Sequence, residues 1–340
     1  MNKKTILVVG AGFSGAVIAR QLADRGHRVT VIDKKNHVAG HAFDYVNDLG
    51  IRVHQYGPHI FHTNNYKVVE WLSRFTEWIP YQHKVKAMIA GGRLVTLPVN
   101  LETKRLVGQE NLLDIFVRPY TRKMWNKELE DLDPGIANRV PFRDDMNDLY
   151  FPNDSFQALP KYGYENLIKA ILDHPDIDLK LNTAYQAVFS DAYSYTFNSM
   201  PIDEYFDFKF GHLPYRSVKF HSYDFPIPRI FPVSQVNFTH DGPLTRLTEW
   251  KNFPGHGDHP YMSTITFEEP CDYLENKMER YYPVKDSSGV NASLYKRYKR
   301  LIPRNMTFIG RCGMYVYIDM HQAVSSALAI SDEFHHKNGT

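Results

Sequence analysis

Apolar residues run unbroken from Thr5 through Ile6, Leu7, Val8 and Val9, a pattern that predicts a buried parallel strand. Gly10-Ala11-Gly12-Phe13-Ser14-Gly15 follows. From Ala16 to Arg25 the apolar positions Val17, Ile18 and Leu22 fall at helical spacing, and Gly26 closes that helix. Arg28 to Ile32 predicts a second strand, ending at Asp33. Such a βαβ opening predicts a doubly wound sheet with a right-handed crossover. Between about 101 and 133 the pattern becomes helical, with Leu101, Leu106, Leu112, Leu113, Phe116 and Val117 set among charges, until Pro134, Pro141 and Pro152 break the chain. Residues 164–173 predict a helix and 177–181 a strand. From about 204 to 270 the text is alternating, aromatic and proline-punctuated. It predicts an antiparallel sheet with strands at Tyr205 to Phe210, Val218 to Phe220 and Tyr223 to Ile230. Thr307 to Arg311 predicts one more buried strand, and Asp319 to His335 a closing helix.

Elements in this order imply a first domain completed by the chain's last elements, with the helical and sheet segments inserted into it. The length of 340 residues accommodates that arrangement. Lys plus Arg number 40 and Asp plus Glu 38, and a net charge of +2 offers nothing to attract nucleic acid or an anionic membrane surface. No stretch approaches the ~18 apolar residues of a bilayer span. The opening apolar run stops at a glycine cluster after five residues, unlike a signal peptide, and two cysteines suit a reducing compartment, so a cytoplasmic protein is expected. The aromatic content is high, 22 Tyr, 21 Phe and 4 Trp, and points to walls that want flat rings carrying hydroxyls.

The strand–GxGxxG–helix unit carries the clearest chemistry. Gly10, Gly12 and Gly15 let the backbone approach a pyrophosphate, and the helix beyond offers free N–H groups. Asp33 ends the second strand, where an acid suits a free ribose 2′-hydroxyl and repels the 2′-phosphate of NADP. The motif does not separate FAD from NAD. His59 and His62 lie three apart, but no cysteine or spaced acid joins them, so no metal site is assigned. Arg139, Arg246 and Arg311 are scattered cations, each able to hold a phosphate bidentately or to form an ordinary ion pair. Lys296-Arg297-Tyr298-Lys299-Arg300 reads as the solvated face of a helix. A hydrolase's GxSxG elbow and a P-loop are both missing.

Beyond the fingerprint, ordered segments across nearly the whole chain resemble the bacterial UDP-galactopyranose mutase family. These are Tyr56-Gly57-Pro58-His59-Ile60-Phe61-His62-Thr63, Tyr120-Thr121-Arg122-Lys123-Met124-Trp125, Pro160-Lys161-Tyr162-Gly163-Tyr164, Thr245-Arg246-Leu247-Thr248-Glu249, Tyr281-Tyr282-Pro283, and Gly310-Arg311-Cys312-Gly313-Met314 on to Met320. The resemblance implies FAD, active when reduced, with NAD(P)H as the expected reductant. It also implies pyranose–furanose isomerisation of a nucleotide-diphosphate sugar through a covalent reduced-flavin N5–sugar adduct. UDP-galactose is the first substrate implied, in the service of cell-surface polysaccharide. A deoxythymidine-diphosphate 6-deoxyhexose is the alternative sugar, and a flavin oxidoreductase of amine-oxidase type the alternative class.

By the same resemblance, Arg139 (on a mobile loop) and Arg246 flank the diphosphate, and Tyr282 and Tyr317 donate to it. Phe116 and Tyr120 pack the base with Thr121 and Tyr150 nearby, and Trp125 lies by the sugar. His62 and Asp319 are placed near the reacting centre. Cofactor contacts fall to Gly10, Gly12, Phe13, Ser14, Gly15, Asp33, Lys34, Gly40, His41, His59, Arg311, Asp319 and Met320. The implied fold is α/β. A Rossmann-like FAD-binding domain (1–80, 160–203 and 300–340) carries a small helical insert (101–159) and an antiparallel sheet domain (81–100 and 204–299). A homodimer is implied too, although the helical insert is several turns shorter than the family's. Leu149 beside Tyr150 also departs from the family pattern near the nucleotide.

Overall fold

The computed structural model describes residues 3–108, 111–132 and 142–338, the side chains of residues 190, 191 and 338 aside. A five-stranded sheet runs Ile177–Lys180, Arg28–Ile32, Thr5–Val9, Tyr195–Asn198, Met306–Phe308, every neighbouring pair parallel. Thr5–Val9 is central and buried from Ile6 onward, because helices or loops cover both faces of a parallel sheet. The helix Phe13–Ala23 packs on the closing helix Met320–Asn338, and Arg25 pairs with Asp332 between them. Ile6, Val8, Val17, Leu22, Val31, Phe197, Val324 and Phe334 share one core between sheet and helices. This is a Rossmann-like α/β fold.

The second sheet has seven strands in the order Tyr282–Pro283, Tyr215–Phe225, Ser263–Asp272, Arg246–Glu249, Gln235–Phe238, Val85–Met88, Leu94–Leu97. It is not wholly antiparallel, since Gln235–Phe238 runs parallel to Val85–Met88. A three-stranded antiparallel sheet joins Phe61–Thr63, Phe156–Pro160 and Trp78–Pro80. Between 101 and 132 the helix is broken into Leu101–Val107, a π-helical turn Leu113–Val117, and Arg118–Trp125. Lys123 ties this insert to the seven-stranded sheet by donating to the carbonyls of Phe238, His240 and Leu244 at 2.7, 2.7 and 2.9 Å. Arg216 Nε donates from that sheet to Met124 O at 2.8 Å.

Three expected strands differ. Tyr205 to Phe210 is not extended: a short helix, Ile202–Tyr205, runs into turns in which Asp207 and Phe208 take left-handed φ values of 48° and 53°. Alternation there serves a turn, and Phe206 and Phe210 fold onto Tyr298. The strand expected over Tyr223 to Ile230 stops at Phe225, before Pro226 and Pro228 would leave carbonyls unpaired. The last strand stops at Phe308. Gly310, at φ 71°, turns the chain into a four-residue helix, Gly310–Gly313, which carries Arg311. Among the described residues no helix is long and apolar enough to cross a membrane.

Candidate active site

A cavity of about 320 Å³ lies at the carboxyl ends of Thr5–Val9 and Arg28–Ile32, where ligands of open α/β sheets bind. The fingerprint turn lines it through Gly10, Gly12, Phe13, Ser14 and Gly15. Gly10 is held at φ 102°, and a Cβ on Gly15 would stand 1.9 Å from Gly10 O, so neither position admits a side chain. Gly12 caps the helix with no side-chain hydrogen bond, which leaves its first N–H groups for a ligand. Asp33 braces the turn: its Oδ2 accepts from Ala11 N at 2.7 Å and its Oδ1 from Lys35 N at 2.9 Å. Lys34, Gly40, His41, His59, Arg311, Asp319 and Met320 line the same cavity. These features fit a dinucleotide: backbone donors without a Cβ where phosphates approach, and an acid at the strand end.

A second cavity, about 350 Å³, opens beside the first. His41, His59, Arg311, Asp319 and Met320 line both. Phe116, Tyr120, Thr121 and Trp125 reach the second from the insert, and Arg246 reaches it from the seven-stranded sheet. Arg246 and Glu268 are direct cross-strand partners, with Nε to Oε2 at 2.5 Å. Burial pulls the Arg246 pKa down, but Glu268 outweighs it and holds the guanidinium charged. Burial also pushes the Glu268 carboxyl up, and its Oε1 is buried without a partner among the described residues.

Tyr282 and Tyr317 stack with centroids 5.4 Å apart, and the Arg311 guanidinium lies 5.6 and 5.2 Å from their ring centres. Arg311 is fixed there by donating to Tyr281 O and Ile318 O. Burial raises the hydroxyl pKa of Tyr120 and of Tyr282, so both remain protonated donors. Tyr150 also lines the cavity, edge-on to Phe151 at 5.0 Å. His62 stacks on Phe151 at 3.6 Å and pairs through Nδ1 with Asp154 at 2.6 Å. His59 instead donates Nδ1–H to Gly57 O at 2.7 Å. The two histidines three apart therefore have separate partners. Among the described residues no group of three or more His, Cys, Asp or Glu is placed to hold a metal ion.

Arg139 lies outside the described residues. The other residues assigned to the site from sequence all line one cavity or both. Several lining groups carried no sequence signal of their own: Phe151, Gln235, His321, and His83, whose pKa burial pushes down to about 3. Glu268, behind Arg246 on the neighbouring strand, likewise carried no signal. Strand pairing brings in Gln235 beside Val85 and Glu268 beside Arg246, and only a known register would have shown it.

Fold and cavities define a Rossmann-type dinucleotide protein with a polar-aromatic ligand chamber abutting its cofactor cleft. The model of the UDP-galactopyranose mutase family matches residues 115–317, and that of the NAD(P)-binding Rossmann-like domain residues 8–75. The probable UDP-galactopyranose mutase of Klebsiella pneumoniae is 33% identical over 373 residues, covering 98% of this chain and 95% of the relative. The dTDP-fucopyranose mutase of Escherichia coli is 32% identical over 375 residues, 96% of this chain and 97% of its own. In fold, a reduced UDP-galactopyranose mutase crystal structure superposes with a TM-score of 0.77 at 16% identity, over 100% of this chain and 95% of that one. A putrescine oxidase does so at 0.60 and 12%, over 97% and 98%. The chain belongs to the UDP-galactopyranose mutase family and is an enzyme of that mutase type.

Proposed function

We propose that the first cavity holds FAD, that the second holds a nucleoside-diphosphate sugar, and that the enzyme interconverts the sugar's pyranose and furanose forms. UDP-galactose is the first substrate proposed. The observation that carries this reading is the convergence of Arg246 with the Tyr120, Tyr282 and Tyr317 hydroxyls on a chamber that shares five residues with the dinucleotide cleft. A cation and neutral hydroxyl donors suit a diphosphate, whereas an amine would gain nothing from them. Reduced flavin supplies a nucleophilic nitrogen for the anomeric carbon.

The chain's own residues bind and orient. Arg246 and the tyrosine hydroxyls stabilise the negative charge that builds on the diphosphate as its bond to the sugar breaks, with Arg139 proposed as the second cation. Phe116, Tyr120 and Tyr150 offer aromatic faces to the base, and Thr121 a hydroxyl. Trp125, edge-on to Tyr282 at 6.2 Å, walls the chamber beside the proposed sugar position. Asp319 lines both cavities and His62 the second, and both are proposed to orient the reacting sugar. A second reading of the same site, a deoxythymidine-diphosphate 6-deoxyhexose as substrate, is favoured by the near-equal likeness to the dTDP-fucopyranose mutase.

The test is product analysis of a panel of UDP- and deoxythymidine-diphosphate sugars with dithionite-reduced and with oxidised enzyme. A furanose product formed only with reduced enzyme, at no net consumption of reductant, is expected. Stoichiometric substrate oxidation would instead identify an oxidoreductase, and no furanose from any nucleotide sugar would refute the assignment.

A further inference from the structure

His41 stands at the seam of the two cavities, held there by a network that the proposed chemistry leaves unused. Its Nε2 lies 2.7 Å from Glu279 Oε1, and its ring stacks on Tyr281 with centroids 4.5 Å apart. Lys35 Nζ donates to the same Glu279 oxygen and to Tyr56 OH, each at 2.9 Å. Beside Lys35 and His41, Glu279 is held far below the usual carboxylate range against the opposing effect of burial, and so only accepts. The hydrogen on His41 therefore sits on Nε2. Nδ1 carries a lone pair and makes no hydrogen bond among the described residues.

The preceding residue fixes what lies nearby. Gly40 packs against Gly12 so closely that a Cβ on either would stand 3.2–3.7 Å from the other's Cα. Gly12 is the turn residue over which a dinucleotide's diphosphate passes. A bare lone pair repels a phosphate oxygen, and an Nδ1–H attracts one. Resting on the FAD reading of the first cavity, we infer that His41, oriented by Glu279, is a diphosphate ligand that takes up a proton at Nδ1 when the anion arrives.

Burial lowers the His41 pKa in the protein without ligand, and Glu279 opposes that, while Lys35 and Arg311 add to it. Tyr56, Tyr281 and His59 complete the ring of titratable neighbours. An arriving diphosphate shifts that balance toward imidazolium. By linkage, binding then consumes protons, and affinity falls by up to about tenfold per pH unit across the window between the free and bound pKa values. Glu279 is a positioning residue in this scheme.

Because His41 faces both cavities, the anion comes from the dinucleotide or from the nucleotide sugar, and two arms separate them. Calorimetry in two buffers of different ionisation enthalpy measures proton uptake when FAD binds the full-length chain stripped of flavin, and when UDP-glucose binds the flavin-loaded chain. Both diphosphates are diesters with no group of their own titrating near neutrality. Uptake with FAD assigns the dinucleotide, which the Gly40–Gly12 approach favours; uptake only with UDP-glucose assigns the nucleotide sugar. His41→Gln is expected to abolish the uptake, and Glu279→Gln, which keeps a hydrogen-bond acceptor, to reduce it. In the unmutated chain, imidazole ¹⁵N resonances of His41 should pass from the Nε2–H tautomer to imidazolium on binding. FAD and UDP-glucose both binding without proton uptake would overturn the inference. A chain that binds no FAD would overturn the cofactor reading and the inference together.

Discussion

Replacing Arg246 by Ala removes the cation proposed to meet the substrate diphosphate, and it also strands Glu268. The Glu268 side chain is only 2% exposed and that of Arg246 20%, so the pair is largely shielded from water. Breaking a buried pair by deleting one partner costs about 3–5 kcal/mol. At ~2 °C per kcal/mol for a chain of this size, Tm should fall by about 6–10 °C. Loss of charge-assisted hydrogen bonds to the diphosphate, ~1.5–3 kcal/mol each, should lower kcat/KM by at least 10-fold per bond, or about 10²-fold for two. Stability and chemistry are thus confounded in the single variant. Arg246→Ala/Glu268→Gln separates them, because a neutral amide removes the stranded carboxylate.

The double variant should recover at least half of the lost Tm and none of the lost turnover, while the flavin absorbance stays intact throughout. Burial already raises the folded pKa of Glu268 above its ordinary value. A carboxyl shifted upward destabilises increasingly as pH rises past its unfolded pKa, so single and double variants should differ more at pH 8 than at pH 5. Thermal melts and furanose formation by reduced enzyme, measured side by side, decide the matter. Turnover returning in step with Tm would refute a direct role for Arg246 at the diphosphate.

Gly15→Ala places a methyl on Gly10 O and should yield protein that purifies without flavin; normal yellow protein would remove the phosphate turn from the argument. Tyr317→Phe leaves its stack on Tyr282 in place but deletes a hydroxyl, and should lower kcat/KM by about tenfold with unchanged Tm. His59 and His83 have pKa values pushed down to about 3, and His256 to about 4, all chiefly by burial. Their imidazole resonances should stay flat from pH 6 to 9. Because the unfolded chain gains protons first, these histidines should make stability fall as pH drops below 6.5 toward 4, measurable by denaturant melts.

The Rossmann half of the molecule was legible because its signals are local. A buried run, a glycine fingerprint, a helix and an acid follow one another within 33 residues, and the structure assembles them as neighbours. Aromatic-rich text was harder. Tyr205 to Phe210 alternates as a strand does, yet the Asp203 carboxylate accepts from Leu213 N and folds the segment into turns. Pattern cannot report a long-range acceptor. Likewise, His83 and Gln235 reach the second cavity from neighbouring segments of the seven-stranded sheet, where Gln235 pairs with Val85 in parallel, and no local periodicity announces a parallel pairing between residues 150 apart. Motif resemblance supplied Arg246 and the tyrosines, while Glu268 came only from strand register.

The five-stranded sheet also dictates when this enzyme can first exist. Its strands are drawn from residues 5–9, 28–32, 177–180, 195–198 and 306–308, and the helix that covers Phe13–Ala23 is the last element of the chain. During synthesis the glycine turn emerges first, but Arg311, Asp319, Met320 and Ala323, which finish the cleft, emerge last. A ribosome must therefore translate through Ala323 before a flavin has a complete berth. Loading of the cofactor then waits on those late residues, and a stop codon anywhere before residue 306 leaves a chain with the fingerprint and nothing to close over it.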